Sequence, residues 1–279
     1  MKNSIRPACA AALIAVFIAA TTSDAAYILV DDFETPPHTL SSSIGGVNGW
    51  TVNNGTGNVV ADPVGGSNQV LDASGAAVSL SKGLSLGNST GTLFFRARAT
   101  EPVDTESASD ISVGLSDAAS PTGFGDFEAQ LAFVNVGGGA VIPGEARARD
   151  AGTNHIFSFD HSTWYNVWMV IDNSTDLYEV YVGGGAFGTQ TQLDDSGETK
   201  FTFRNTAGDG VNSNTTPVAN DLMALFLRGG NSHRGAFYVD DVYFDAAGAN
   251  LANPIPEPAT IAMLFLGGLM ALGLLRRHR

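Results

Sequence analysis

The side chains best placed by type and spacing to do chemistry are carboxylates at the two ends of the apolar body: Asp31, Asp32 and Glu34 near the start, Asp240, Asp241 and Asp245 near the end. Clustered carboxylates repel one another, so each group needs water, a counter-charge or a cation that takes oxygen ligands. Alternation along an extended strand supplies the simplest answer, by turning successive acids toward solvent. A second set of candidates is aromatic. Trp50, Trp164, Tyr165, Trp168, Tyr178 and Tyr181 carry flat apolar faces, and Arg228, Asn231 and His233 flank a Gly-rich turn that could border a cleft. Exposed rings stack on sugar pyranoses, whereas buried rings fill cores. Packing is the expected fate of most of them.

Motifs for other chemistries are missing. The chain has no His-Glu-x-x-His helix and no Gly-x-Ser-x-Gly elbow. Gly137-Gly138-Gly139 and Gly183-Gly184-Gly185 lack the helix and lysine of a phosphate loop, and read as turns. His38, His155, His161, His233 and His278 show no metal-ligand spacing and read as surface residues. The single cysteine, Cys9, lies in a segment expected to be removed, so neither a disulfide nor thiol chemistry is expected in the mature protein.

The elements that must carry these residues are strands. Short β-branched and aromatic runs recur between Gly, Asn, Asp and Pro, and no long segment repeats apolar residues at helical spacing. Strands are predicted at residues 27–33, 69–72, 92–100, 111–115, 128–136, 164–172, 177–182, 222–227 and 236–244. Within 92–100, alternation sends Leu93, Phe95, Ala97 and Ala99 to one face and Phe94, Arg96 and Arg98 to the other. Residues 164–172 are apolar on both faces, as a central strand of a two-layer structure should be. The turn Asn173-Ser174-Thr175-Asp176 then predicts a hairpin with 177–182.

Charge narrows the partners. The whole chain carries −14, but residues 26–258 hold 27 acidic and 9 basic side chains, a net −18. A body this negative repels nucleic acid and anionic lipid, and suits neutral glycans, divalent cations and solubility.

Both ends read as addresses. Lys2 and Arg6 precede a 13-residue apolar core, Ala8 to Ala20, and Ser23-Asp24-Ala25 offers small residues for signal peptidase, so residues 1–25 are expected to be a cleaved signal peptide. Arg6-Pro7-Ala8 before Cys9 is unlike the small, apolar lead of a lipoprotein signal. At the other end Pro256-Glu257-Pro258 precedes an apolar stretch within residues 259–275 and the basic cluster Arg276, Arg277 and Arg279. As a helix those 17 residues reach roughly 25 Å, and the arginines hold the terminus on the cytoplasmic side.

This order of parts resembles the PEP-CTERM sorting signal of Gram-negative bacteria that make exopolysaccharide. The resemblance implies transient residence in the inner membrane and processing by an exosortase near Pro256, Glu257 and Pro258. The remaining organisation is expected to be one β-sandwich domain at 26–248 and a linker at 249–255. In that body, Asp31-Asp32-Phe33-Glu34, Gly49-Trp50, the 164–182 hairpin and the closing Phe237-Tyr238-Val239-Asp240-Asp241-Val242-Tyr243-Phe244 resemble the concanavalin A-like lectin and glucanase superfamily, including laminin-G-like domains. That resemblance implies an all-β jelly-roll β-sandwich whose first and last strands are neighbours. It also implies a structural calcium ion, with Asp32, Glu34 and Asp241 as candidate ligands. The Glu-x-Asp-x-x-Glu strand of the sandwich glucanases has no counterpart here, and no catalytic residue is assigned. The expected function is an exported, non-catalytic surface or matrix protein that binds carbohydrate, an exopolysaccharide above all. A glycoside hydrolase or lyase with acids on separate strands, and a purely structural envelope component, are the alternatives.

Overall fold

The computed structural model describes residues 26–34, 36–100, 109–135, 144–204 and 222–255. The signal segment 1–25, the sorting motif Pro256, Glu257 and Pro258, the stretch 259–275 and the basic residues Arg276, Arg277 and Arg279 lie outside the described residues. In chain order the strands are β1 Ile28–Asp31, β2 Trp50–Asn54, β3 Asn58–Ala61, β4 Gln69–Asp72, β5 Ser79–Leu86, β6 Thr90–Ala99, β7 Ser109–Ser116 and β8 Gln130–Asn135. They continue with β9 Gly144–Asp150, β10 Thr153–Phe159, β11 Tyr165–Asp172, β12 Leu177–Gly183, β13 Thr191–Gln192, β14 Phe201–Thr202, β15 Leu222–Gly229 and β16 Phe237–Asp245.

Alternation decides which way each strand faces, and antiparallel pairing assembles the strands into two sheets. A nine-stranded sheet runs β13-β12-β11-β6-β16-β4-β3, with β1 beside β16 and β14 beside β12; a seven-stranded sheet runs β10-β9-β8-β7-β15-β5-β2. The two stack as a jelly-roll sandwich with one shared core. The face predicted for β6 is the one that packs inward: Leu93, Phe95, Ala97 and Ala99 all join the core. Opposite them stand Ile111, Val113 and Leu115 of β7, Leu131 and Phe133 of β8, and Leu225 and Leu227 of β15. The hairpin of β11 and β12 forms as predicted, with Val167 against Val182 and Asp172 against Leu177. First and last strands are neighbours, Ile28 pairing Phe244 and Leu29 pairing Tyr243.

Polar bonds fasten the two layers where side chains reach across. The Tyr178 hydroxyl on β12 lies 2.8 Å from the carbonyl of Gln130 and 2.5 Å from that of Arg149, both in the opposite sheet. Gly114 on β7 is required by a close approach: a Cβ there would stand 1.9 Å from the Ala129 carbonyl oxygen. That space lets the loop before β8 lie over the sheet, with Phe127 packed on Phe226 at 4.5 Å between ring centroids.

The strongest polar tie begins at Asp31, at the end of β1. Its carboxylate is buried and accepts from Trp50 Nε1 at 2.8 Å, Asn48 Nδ2 at 3.0 Å and Lys82 Nζ at 3.2 Å, with His38 Nε2 at 2.9 Å. Lys82 occupies an inward position on β5, opposite Trp50 and Leu225, so the ion pair crosses the interior from the seven-stranded sheet to β1. Lys82 also donates to the Val30 carbonyl at 2.6 Å. His38 and His233 are both buried, which corrects the expectation that all five histidines lie at the surface. Each is drawn inward by an acceptor or donor: Asp31 for His38, and the Asp110 N–H, 3.1 Å from Nδ1, for His233.

Residues 248–252 do not run free after β16. They lie across the outer face of the nine-stranded sheet, where Trp168 Nε1 donates to the Ala252 carbonyl at 3.0 Å and Gln190 Nε2 to the Leu251 carbonyl at 3.0 Å. The Tyr27 hydroxyl donates to the Asn250 carbonyl at 2.5 Å. Beneath this strap Phe94, Trp168, Tyr243 and Tyr27 meet edge to face. The outer face of β6 is therefore covered at Phe94 rather than wet, because the strap supplies a third layer there.

Asp31→Ala leaves Lys82 without its counter-charge and the Trp50 indole N–H without its acceptor in the interior, which should cost about 3–5 kcal/mol of unfolding free energy. Urea denaturation of the mature body measures this. Asp31→Ala combined with Lys82→Met should recover part of the loss, because the uncompensated charge is then gone.

Candidate functional site

An irregularity in the last strand builds the most distinctive polar patch. In β16, Phe237 and Val239 point into the core, but so do Val242 and Phe244, so the inward parity changes between 239 and 242. The pairing with β6 shifts register between Asp240 and Tyr243, and Asp241 takes a positive φ of 48°. One extra residue in a strand does this: a β-bulge turns two consecutive side chains to the same side. Asp240 and Asp241 consequently both face outward onto Arg96 of β6. Arg96 Nη1 lies 3.3 Å from Asp240 Oδ2 and 3.1 Å from Asp241 Oδ2.

Neighbouring strands extend the patch sideways along one row. Asn68, just before β4, donates to Asp240 Oδ2 at 2.9 Å. Trp164, just before β11, lies with its ring over the Arg96 guanidinium at 4.8 Å, and its Nε1 is 3.4 Å from Asp62 Oδ1, just after β3. The row Trp164, Arg96, Asp240, Asn68, Asp62 thus spans β11, β6, β16, β4 and β3 in the order of the sheet. Trp164 is half-buried, whereas Trp50, Tyr165, Trp168 and Tyr178 are buried in the body. Of the three tryptophans, Trp164 is the one with ring surface left for a ligand.

Burial sets the electrostatics. Asp240 is 1 % exposed, and loss of water first, then the adjacent Asp241 charge, push its carboxyl up to about 7 despite Asn68 and Arg96. Asp241 is also raised, by burial and then, against the pull of Arg96, by Asp32. The patch holds a proton more readily than exposed carboxylates do, and its one cation is shared between two acids.

The three acids expected to hold calcium divide between two places. Asp32 lies close enough to Asp241 to raise it, so those two are brought together. Glu34 is exposed beside β4, where its carboxylate takes the Gln69 N–H. The positive charge beside Asp241 is the Arg96 guanidinium. Among the described residues no group of three or more acidic, histidine or cysteine side chains stands together as a metal site. A guanidinium at 3.1 Å from Asp241 occupies the counter-charge position that calcium would need, so this donor set does not fit a cation with six to eight oxygen ligands.

A second polar surface covers the outer face of the seven-stranded sheet. Register aligns Arg147, Ala132, Ser112 and Arg228 across β9, β8, β7 and β15, a row with small side chains between two arginines. Several of its donors are engaged, although Arg204 Nε and Arg228 Nε are buried without a partner among the described residues. Arg147 binds Glu145 at 2.6 Å, Arg228 donates to the Gly229 carbonyl at 2.7 Å, and Arg204 donates to Gln130 Oε1 at 3.0 Å while Gln130 donates to Ser112 Oγ at 2.7 Å. Asp110, set near Arg147 and Arg228, is still raised because burial outweighs both. Of the residues expected to border a cleft here, His233 is instead buried and its imidazole pushed down to about 4, chiefly by burial, so it stays neutral.

The bulge carried no signal in the sequence beyond the doublet Asp240-Asp241, and Asn68 and Asp62 carried none. Trp164 was among the candidate rings, but nothing in its neighbourhood distinguished it from Tyr165.

Comparisons with known proteins bear on the tail. The description of a PEP-CTERM protein-sorting motif matches residues 254–279. No curated protein matches the chain. Among solved structures, the chain is similar to a sialidase at 13 % identity and a TM-score of 0.47, covering 80 % of this chain but only 18 % of that one. It is similar to lectin II from Ulex europaeus at 9 % identity and a TM-score of 0.48, covering 72 % of this chain and 93 % of that one. A third is the catalytic domain of a glycoside hydrolase family 131 protein from Coprinopsis cinerea, at 14 % identity and a TM-score of 0.43, covering 75 % and 86 %. The chain is an exported protein that ends in a PEP-CTERM sorting motif, the substrate of an exosortase.

Proposed function

We propose that this exported, exosortase-sorted protein is a non-catalytic carbohydrate-binding component of the cell surface or its matrix, with exopolysaccharide as the ligand class. The observation that carries this reading is Trp164. Its half-buried indole is braced by Arg96, which Asp240 and Asp241 hold in place, and its Nε1 lies 3.4 Å from Asp62 Oδ1. A flat apolar ring held rigid among amide and carboxylate groups is the arrangement that recognises a pyranose, the ring packing on C–H groups while the rim meets hydroxyls. Bracing by a guanidinium fixes the ring before the ligand arrives, which lowers the ordering cost of binding.

One observation favours a second reading, hydrolysis. Asp240 is pushed up to about 7, chiefly by burial, beside another raised carboxylate on the same guanidinium nitrogen, and glycosidases use paired carboxyl groups as acid and base. Against it stands the burial of Asp240: at 1 % exposure its carboxyl has no open path to a glycosidic oxygen. The pair is better suited to fixing Arg96 under Trp164.

Two outcomes are expected. On an array of bacterial and plant glycans, with calcium and again with chelator, the mature body should bind selectively without turning any glycan over. Trp164→Ala should weaken that binding about fivefold or more, since ring contacts of this kind are worth about 1 kcal/mol, and leave the melting temperature within a few degrees. Selective binding untouched by Trp164→Ala would move the site elsewhere, and release of reducing ends would favour the hydrolase. The second outcome concerns pH. The folded form holds the Asp240 proton more tightly than the unfolded chain, so this residue's contribution to stability declines as pH rises from about 4 through 7 and is level above that. Asp240→Asn should therefore gain on the wild type by on the order of 2 kcal/mol between pH 5 and pH 8 in urea unfolding.

A further inference from the structure

Arg96 is not the only outward guanidinium of β6 that lies against an aromatic ring. Two residues on, Arg98 faces the same way and stands 5.8 Å from the ring of Tyr238, its register partner on β16. Phe237 and Val239, on either side of Tyr238, fill the core, so the Tyr238 ring lies on the outer face of the nine-stranded sheet, as Trp164 does. The two ring and guanidinium pairs are tied together by one turn. The Ser162 N–H donates to the Ala99 carbonyl at 2.7 Å, and Arg98 Nε donates to the Ser162 carbonyl at 3.0 Å. The segment that delivers Trp164 two residues later therefore also pins the cation beside Tyr238. Both rings are half-buried, and among the described residues the Tyr238 hydroxyl makes no hydrogen bond. Burial, then the Asp72 charge on the neighbouring β4, raise that phenol against the pull of Arg98, so it remains a neutral donor.

We propose that Tyr238 is the second platform of the Trp164 site, and that the site takes an internal stretch of two or three sugars of a linear polysaccharide, not a single terminal sugar. The proposal rests on the reading of Trp164 as a glycan contact. Sheet order fixes the span. Trp164 stands just before β11 and Tyr238 on β16, with β6 alone between them, so the two strand lines lie about 10 Å apart. One pyranose ring is too short to cover both platforms, whereas a short stretch of a chain reaches from one to the other. Each ring offers an apolar face to sugar C–H groups, and the hydroxyls at the sugar edges meet the Tyr238 hydroxyl and the carboxylates of Asp62 and Asp72. Asp72 is itself held in place, its Oδ1 accepting the Ser74 N–H at 2.9 Å. Two rings fixed on two pinned guanidinium groups add contacts without adding ordering cost, so affinity grows with chain length until both platforms are covered.

The test titrates the body, residues 26–255, which hold both sheets and their shared core, with cello-, laminari- and chito-oligosaccharides of one to six units by isothermal calorimetry. For a series that binds, affinity should rise about fivefold or more from the monosaccharide to the trisaccharide and then level off, the factor that one further ring contact supplies. Tyr238→Ala should remove that rise and leave the monosaccharide affinity in place, Tyr238→Phe, which keeps the ring, should retain most of it, and Trp164→Ala should weaken every length. The wild-type series decides the proposal even where Tyr238→Ala unfolds: a monosaccharide bound as tightly as the hexasaccharide overturns it. A rise that survives in folded Tyr238→Ala overturns it as well, and in both cases loss of binding in Trp164→Ala leaves the Trp164 reading standing. No binding of any series overturns the carbohydrate reading for these glycans and the proposal with it.

Discussion

A carboxylate with almost no water around it must be surrounded by donors, and Asp31 is where this fold meets that demand. Its partners come from the loop after β1, from β2 and from β5, so a single buried charge gathers segments that belong to both sheets. Such a cluster is a poor source of net stability compared with a packed apolar core, because desolvation of the ions offsets their attraction. Its effect is on arrangement. Any other seating of β1 would strand Asp31 or Lys82 in the interior, so the first strand has one register on β16. Asp32, one residue on, then comes beside Asp241, and Tyr27 comes beside the strap.

The β16 bulge is the second constraint, and it depends on the first. A regular strand would send Asp240 and Asp241 to opposite faces and drive one carboxylate into the core. The extra residue keeps both acids outside and restores apolar residues to the interior at Val242 and Phe244. The cost is two acids side by side under restricted solvent, met by Arg96 and Asn68. Trp164 then lies on the cation those acids hold in place. The orientation of the half-buried indole is thus set by an irregularity in β16, two strands away from β11, which Trp164 precedes.

What could be read from the sequence follows from how strongly a pattern repeats. Residues 92–100 alternate cleanly, so the inward face of β6 was assigned correctly, while its other face, expected to be wet, is covered at Phe94; the hairpin of β11 and β12 was legible from its apolar runs and its turn. The adjacency of first and last strands came from resemblance, and the pairing of β1 with β16 agrees. Strands β2, β3, β5, β9, β10, β13 and β14 were not predicted. In β9 the inward residues are Ala146 and Ala148, small side chains whose alternation with Glu145, Arg147 and Arg149 carries little hydrophobic contrast. In β5 an inward position is taken by Lys82, which breaks the pattern and is tolerated only because Asp31 waits across the interior. The acid clusters at both ends were visible, but their division was not. Asp31 turns inward to donors, Asp32 and Asp241 share a face, and Glu34 caps a strand end, because burial and the bulge separate residues that are neighbours in sequence.

The contacts that close the sandwich join its most distant residues. The Tyr27 hydroxyl needs Asn250, the Trp168 indole needs Ala252, and β1 needs β16, so none of these can form until the chain has been translocated almost to its sorting motif. Contacts of such large sequence separation carry the greatest loop-closure cost and form late. Once they form, the aromatic layer of Phe94, Trp168, Tyr243 and Tyr27 is covered by the strap, and Tyr27 and Asn250, near the two ends of the described body, are joined by one hydrogen bond. The strap is thus the last structural layer of the body.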